Sequence, residues 1–402
     1  MTSEWNHFAL GEITELVIDY RGKTPKKLGG DWCKQGYRAL SAKNIKTGRI
    51  VQAETIRYID ESLYRKWMKD EVQRGDILIT SEAPFGQIFF WDSDEKIVLS
   101  QRLFCVRIKP EYDARFIYYY MTTPEFQSEL DGRATGTTVI GLRQPELMKC
   151  VIRCPEIQEQ KVIAAILSSI DAKIIANEKV NDNLEQQAQA IYHERFETIS
   201  PNDLPSEWRI VTLGEVATIS SKSFNPLKEP EILLEHYSIP AFDEARFPVF
   251  ELSTSIKSNK FIIDASCFMI SKLNPTTKRV WKPYCLTGNA VCSTEFIVYK
   301  AKDKTITDFL YSVIDSNSFS DFMCSHVTGS TGSRQRTTPS DTLSYELILP
   351  SEDELAKFQS LVSPMYAQIR INAIENDRLK RLRDSLLPKL MSGEIDVSTI
   401  QL

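Results

Sequence analysis

The sequence predicts an α+β fold in which two similar mixed α/β modules stand in tandem, separated by two long helices that form an antiparallel coiled coil. Three observations predict it. Short motifs recur in the same order at an offset of 193 to 203 residues along the 402-residue chain. Each half mixes strand-like and helical runs without a regular βαβ alternation. Each half also ends in a long helical pattern.

Composition excludes several classes of protein. Hydrophobic residues make up 42% and charged residues 26%, as in ordinary globular chains. The longest uncharged apolar stretch, 162–170, is far below the roughly 20 residues that span a bilayer. The start of the chain lacks a basic segment followed by an apolar one, so we expect no signal peptide and a cytoplasmic protein. The spacing of the eight cysteines and four histidines predicts no metal site.

The repeat begins with the first residues of each half. The pattern Ser-Glu-Trp-x4-Leu-Gly-Glu occurs at 3–12 and again at 206–215. Further matches in the same order pair 116–118 with 309–311, 135–138 with 328–331 and 172–174 with 367–369. Several ordered matches indicate a duplicated module rather than chance.

Within each module, apolar and β-branched runs predict short strands and a following helical region. The runs 76–80, 87–91 and 103–108 are expected strands, and the helical stretch 113–130 is interrupted near Pro124. The second half repeats this with strands over 265–271 and 295–299 and a helix over 307–325. The resulting domains are a first module over 1–154, a long helix over 155–198, a linker over 199–207, a second module over 208–349, a second long helix over 350–394 and a tail over 395–402.

Apolar residues in steps of three and four give both long helices a coiled-coil seam. The segment 156–197 contains neither proline nor glycine, whereas Pro364 predicts a kink or a restart of the second helix. The polar seam positions Asn177 and Asn181 recur as Asn372 and Asn376. Seam asparagines fix register, so we expect them to face one another in an antiparallel pair; the alternative is that they face solvent. A helix of this length is a rigid spacer of about 60 Å.

The charge of the chain is unevenly distributed around its net value of −5. Residues 21–49 carry nine basic side chains and one acid, and 272–282 carry four basic side chains and no acid. Such loops suit a phosphate backbone, although solvated surface charge is the alternative. The candidate phosphate contacts are Arg21, Lys23, Lys26, Lys27, Lys43, Lys272, Lys278 and Arg279.

Two further stretches, 133–144 and 329–338, have the composition of base-reading loops. Glycine permits close approach, serine and threonine offer donors and acceptors, and arginine and glutamine form bidentate contacts with guanine and adenine. The alternative is a structural loop that packs the module onto its helix. The candidates are Arg133, Thr137, Thr138, Arg143 and Gln144 in the first half, and Arg334, Gln335 and Arg336 in the second.

The sequence predicts binding without catalysis. Gly22-Lys23-Thr24 resembles the end of a phosphate-binding loop, but that motif requires a glycine where Val17 stands. The patterns G-x-G-x-x-G, G-x-S-x-G and H-E-x-x-H do not occur, nor does the Asn-Pro-Pro-aromatic tetrapeptide typical of amino-methyltransferases.

The two Ser-Glu-Trp-x4-Leu-Gly-Glu starts, the strand 75–79, the proline-led long helices and the ending 392–395 resemble the specificity subunit of a type I restriction–modification enzyme over essentially the whole chain. The resemblance implies two target-recognition domains, each reading one half of a bipartite, asymmetric site in double-stranded DNA. It implies that the long helices act as a ruler and dock methyltransferase subunits, with a restriction and translocase subunit joining outside.

The same resemblance implies a subunit without catalytic residues or a cofactor of its own, since S-adenosylmethionine, ATP and magnesium would be used by its partners. The second half has no clear match to the basic loop 21–27, so contacts there do not carry over. The competing hypothesis is an adaptor that carries two protein-binding modules on a coiled-coil spacer.

Overall fold

The computed structural model describes residues 5–136, 140–328 and 335–400. The chain divides into two compact units, one running to Lys173 and resuming at Leu379, the other spanning Ile174–Arg378. This division cuts both long helices, so the predicted domain boundaries stay a prediction. Among the described residues, no helix is both long and apolar enough to span a bilayer. The same residues contain no group of three or more histidine, cysteine, aspartate or glutamate side chains that could hold a metal ion.

The first unit contains a four-stranded sheet in the order β2-β10-β7-β8, a three-stranded sheet β6-β3-β9 and the pairs β1-β11 and β4-β5. Its strands are β1 (Asn6–Ala9), β2 (Thr14–Asp19), β3 (Tyr37–Leu40), β4 (Ile45–Lys46), β5 (Arg49–Ile50), β6 (Arg57–Ile59), β7 (Ile77–Thr80), β8 (Ile88–Phe90), β9 (Ile97–Leu99), β10 (Leu103–Ile108) and β11 (Val151–Cys154). Its short helices are α1 (Leu10–Ile13), α2 (Glu61–Trp67), α3 (Ala114–Met121), α4 (Pro124–Arg133) and α5 (Gln144–Leu147).

The second unit repeats the four-stranded order as β13-β21-β18-β19 and adds a five-stranded sheet β14-β17-β20-β15-β16. Its strands are β12 (Arg209–Thr212), β13 (Ala217–Ile219), β14 (Ser223–Phe224), β15 (Leu233–Tyr237), β16 (Val249–Leu252), β17 (Lys260–Ile262), β18 (Cys267–Ser271), β19 (Val280–Trp281), β20 (Ala290–Ser293), β21 (Phe296–Ala301), β22 (Val327–Thr328), β23 (Arg336–Thr337) and β24 (Glu346–Leu349). Its short helices are α7 (Leu213–Val216), α8 (Ile239–Ala245), α9 (Thr307–Ile314) and α10 (Asn317–Ser325).

The repeated Leu-Gly-Glu motif forms the same helical turn, α1 or α7, in both units. Glu12 accepts the Ala9 N–H at 2.6 Å and Glu215 accepts the Thr212 N–H at 2.7 Å, which satisfies a helix-start donor in each case. A Cβ on Gly11 would come 3.2 Å from a backbone carbonyl, so close packing favours glycine in this turn. The tandem repeat predicted from the sequence is therefore present in the structure.

One helical region differs from the prediction, and of the two alternatives expected at Pro364 the restart is absent. Residues 307–325 form two helices, because Ser316 caps α10 by accepting the Phe319 N–H at 3.1 Å. The second long helix, α11 (Glu352–Met391), runs through Pro364 without restarting. Proline removes one backbone hydrogen bond, and the buried Val362 and Tyr366 on either side offset that loss through packing.

The seam asparagines pair as predicted. The first long helix, α6 (Ile157–Tyr192), continues into a π-helical turn over His193–Glu197. In the second unit, Asn177 donates to Asn376 at 2.8 Å and Asn372 donates to Asn181 at 2.8 Å. As the residue number increases along α6, the residue number of its partner on α11 decreases. The two helices are therefore antiparallel here. Asn177, Asn372 and Asn376 are each 5% exposed, so the solvent-facing alternative is wrong for them.

Candidate nucleic-acid interface

Three distant segments of the first unit meet where β7 ends and β10 begins. Thr80 and Leu103 are cross-strand partners. Just beyond them, the Ser81 N–H donates to the Arg102 carbonyl at 2.9 Å, and the Ser81 carbonyl accepts the Leu142 N–H at 3.0 Å. We call the backbone groups of residues 81, 102 and 142 the strand-end frame. The frame joins the turn after β7, the residues before β10 and the predicted base-reading stretch 133–144.

The second unit has the same frame with different side chains. The Lys272 N–H donates to the Glu295 carbonyl at 2.9 Å, and the Lys272 carbonyl accepts the Thr337 N–H at 3.2 Å. Ser271 and Phe296 are the cross-strand partners beneath it. Three residues beyond the strand end, Ala83 and Asn274 both have positive φ values, 28° and 49°. The backbone of this region is therefore duplicated along with the modules.

Two adjoining hollows open beside the frame of the first unit. One has a volume of about 710 Å³ and is lined by Arg21, Lys23 and Lys27 from the first basic loop. The other has a volume of about 250 Å³ and is lined by Trp32, Lys43 and Arg57. Gln101 and Arg102 line both hollows. The basic loops and the frame therefore form one surface.

Arg21 connects the basic loop to the frame rather than standing free. Its guanidinium binds both carboxylate oxygens of Asp19 at 2.8 Å, donates to the Leu142 carbonyl at 3.3 Å and lies 4.0 Å from the centre of the Phe104 ring. Because the charge is already paired, the structure favours a positioning role for Arg21. Its contact with phosphate stays a prediction.

The lysines of this loop fall into two groups. Lys23 donates to the Trp67 carbonyl at 2.6 Å, and burial is the main cause of its lowered pKa. Lys27 donates to the Gly22 carbonyl at 2.9 Å yet remains exposed, as do Lys26 and Lys43. The exposed lysines are the ones placed to meet a phosphate backbone without breaking the fold.

The candidates in the stretch 133–144 also divide. Arg133 pairs with Glu129 at 2.9 Å and with Glu146 at 3.7 Å, so it ties α4 to α5. Arg143 is exposed at the N-terminal cap of α5, and Gln144 is the first residue of that helix. The candidates Thr137 and Thr138 lie outside the described residues. The geometry thus leaves Arg143 as the accessible cation of this stretch.

Most cations predicted to contact DNA in the second unit are held by carboxylates. Lys278 pairs with Asp315 at 2.9 Å, and Arg279 binds Asp243 through two hydrogen bonds of 2.6 and 3.0 Å. The Lys272 side chain is half-buried beside the frame.

The second predicted base-reading stretch reaches the same frame. Arg336 binds both carboxylate oxygens of Glu295 at 3.0 Å. The Gln335 carbonyl accepts the Asn274 N–H at 2.9 Å, so the stretch is attached to the turn after β18. The candidate Arg334 lies outside the described residues. A base-reading role for Arg336 and Gln335 stays a prediction.

Sequence reasoning missed Gln101 and Arg102, together with Arg57, whose guanidinium lies 5.1 Å from the centre of the Trp32 ring. The available signal was the Gln-Arg pair between two apolar runs, 97–99 and 103–108. These residue types are the ones that form bidentate contacts with bases. The sequence alone does not single them out, because they lie outside the clusters of positive charge.

The fold and this surface define a protein with two related modules, each with a strand-end frame, and two long helices. Residues 2–186 match a family model described as the type I restriction modification DNA specificity domain. The chain is 25% identical to the MjaIX specificity subunit of Methanocaldococcus jannaschii, covering 81% of this chain and 79% of that one. It is 22% identical to the HindI specificity subunit of Haemophilus influenzae, covering 81% and 88%.

A solved structure supports the fold. The S subunit of a type I restriction-modification system from M. genitalium superposes with a TM-score of 0.58 over 96% of both chains, at 17% identity. These comparisons agree with the resemblance seen in the sequence: residues 2–186 match the DNA specificity domain of type I systems, and most of the chain is similar to type I specificity subunits. The matched relatives are named specificity subunits, which agrees with the prediction of binding without catalysis.

Proposed function

We propose that this subunit gives a type I complex its sequence specificity by reading a bipartite, asymmetric site in double-stranded DNA, one half with each unit. The observation that carries the proposal is the strand-end frame, which the two units share in backbone but not in side chains. A shared backbone supports a shared mode of docking on the duplex. Different side chains on it support different half-site sequences.

Phosphate and base contacts are assigned to different side chains of this surface. Lys26, Lys27, Lys43 and Arg143 are exposed in the first unit and supply the phosphate contacts. Arg21 and Arg133 hold the loops in place through their carboxylate partners. The paired arginines position the loops, and the exposed cations contact phosphates. The two hollows beside the strand-end frame then remain open to the edges of the bases.

The remaining parts of the proposal rest on the resemblance to type I specificity subunits. The long helices dock methyltransferase subunits, and a restriction and translocase subunit joins the complex. S-adenosylmethionine, ATP and magnesium serve those partners, and this subunit holds no cofactor. A cytoplasmic location and the part of the helices in setting the distance between half-sites stay predictions from the sequence.

The proposal is tested by mapping methylated adenines in DNA from cells that express the methyltransferase subunits with and without this chain. The expected result is a motif of two defined half-sites around a non-specific spacer, present only with the chain. A motif that is contiguous, or that does not depend on the chain, would refute the proposal. Assembly with partner subunits without any binding to duplex DNA would support the adaptor hypothesis instead.

A change of Lys26 and Lys27 to alanine should weaken DNA binding on all sequences alike. Each lost phosphate contact lowers the slope of log K against log salt by about 0.9, so the slope should fall by up to about 1.8. Equilibrium binding of the assembled complex over a salt series measures this. The matched control, Lys26→Arg with Lys27→Arg, keeps both charges and should keep the slope. An unchanged slope in the alanine variant would remove these lysines from the interface.

A further inference from the structure

We infer that Gln101 and Arg102 are specificity-determining residues of the first unit, with Arg102 reading a guanine. Thr294 and Glu295 take the corresponding place in the second unit. The inference rests on the proposed function, because it names the side chains that read bases at that site. It arises from the geometry of the strand-end frame rather than from the charge clusters.

The backbone at Arg102 adopts a conformation that arginine seldom takes. Its φ is +64°, in the left-handed region. The surroundings maintain it, because the Arg102 carbonyl accepts the Ser81 N–H and Leu103 is paired with Thr80. Such conformations persist where neighbouring contacts determine them and are concentrated at functional sites. The result is a side chain, 49% exposed, at the place where the two hollows adjoin.

Gln101 is anchored by its backbone and open at its side chain. Its carbonyl accepts the Ala42 N–H at 3.1 Å, while the residue as a whole is exposed and lines both hollows. A glutamine next to an arginine supplies bidentate partners for adenine and guanine in the major groove. A fixed backbone with an exposed amide and a loosely paired guanidinium suits the direct reading of bases.

The Arg102 guanidinium is held more loosely than its neighbours. The distance between its Nε and a Glu82 carboxylate oxygen is 3.4 Å, whereas Arg21 binds Asp19 through two hydrogen bonds of 2.8 Å. Half-exposed ion pairs of this kind contribute little free energy, so a base can replace Glu82 at small cost. Glu82 itself is attached to the frame through its bridge to Gly141. Glu82 therefore orients Arg102 in the absence of DNA.

The second unit carries the opposite charge at the corresponding position. Glu295 directly precedes β21, as Arg102 directly precedes β10, and each carbonyl accepts the equivalent N–H after the neighbouring strand. Glu295 binds Arg336 through two bonds of 3.0 Å. Glu295 is thus held by Arg336, whereas Arg102 is half-exposed and loosely paired, so the two units offer different groups to a DNA base at this place. This is a residue-level source of the asymmetry of the site.

The test uses the assembled methyltransferase complex and a duplex panel in which every half-site position is varied. Arg102→Lys keeps the charge but lacks the planar fork, and Arg102→Asn suits the left-handed backbone while removing the cation. Both should lose discrimination at one G·C position of one half-site by about tenfold or more, consistent with the loss of a bidentate contact. Arg102→Lys should leave the salt dependence unchanged.

Arg65→Lys is the matched control, since Arg65 is a surface residue of the same unit paired with Glu61. It should keep full discrimination. A wild-type complex without base preference would overturn both this inference and the proposed function. A wild-type preference that Arg102→Lys retains at every position would overturn the inference alone. Equal loss at both half-sites would also overturn it. Should Arg102→Asn fail to assemble, Arg102→Lys still decides the question.

Discussion

Replacing Phe358 by alanine is expected to lower the free energy of unfolding by about 3–5 kcal/mol. Phe358 on α11 is fully buried, and its ring centre lies 5.2 Å from that of Phe196 and 6.0 Å from that of Phe309. It also meets the Tyr192 ring of α6. The side chain thus joins both long helices to α9 within the second unit. Its loss removes apolar contacts and leaves a cavity among rigid rings.

The matched control for Phe358 is Leu361→Ala in the same helix. Leu361 is 42% exposed, so its truncation should cost less than about 1 kcal/mol. Denaturant unfolding of the full chain, followed by circular dichroism, measures both variants. Equal losses of stability would show that the ring cluster does not hold the module to the helices.

The second large effect is expected at the buried asparagine pair. Asn177→Ala removes the donor that Asn376 accepts at 2.8 Å. A buried polar group left without its partner costs about 1–3 kcal/mol, so the single change should destabilise the protein by that amount. Changing both Asn177 and Asn376 to leucine should recover that stability, because apolar side chains then fill the seam. The double variant should lose the uniqueness of register that polar seam residues provide.

Thermal unfolding and the oligomeric state of the purified chain check both asparagine variants. Gln187→Ala, at an exposed position of the same helix, is the control and should change stability by less than about 0.5 kcal/mol. If the double leucine variant is as unstable as the single alanine variant, an unpaired polar group is not the cause of the loss, and the prediction is wrong. If the single change has no effect, their hydrogen bond adds nothing to stability.

The pairing of the long helices shows which features a local sequence pattern can predict. The period of apolar residues in both long helices, and the asparagines at matching seam positions, predicted an antiparallel pair that the second unit contains. Of the kink or restart expected at Pro364, the restart is absent, because a local rule weighs one lost hydrogen bond and not the packing of Val362 and Tyr366; the kink stays a prediction.

The basic residues show that counting charges along the chain does not identify the cations that are available to bind DNA. Asp19 stands two residues before Arg21, Glu129 four residues before Arg133, and Asp243 far before Arg279. Basic runs looked unneutralised because their acidic partners lie outside the runs themselves. Ion pairs form between side chains that are close in space, whatever their distance along the chain. A short stretch of sequence therefore does not tell which of its cations are paired.

The sequence by itself determined the duplicated modules, the two long helices, their asparagine register and the resemblance to specificity subunits. All of these depend on short-range periodicity or on motifs that repeat along the chain. Only the tertiary structure decided that residues 81, 102 and 142 meet at one strand end, and that Glu295 stands in the second unit where Arg102 stands in the first. The reason is that such a site is built from backbone hydrogen bonds between distant segments, which no local pattern encodes.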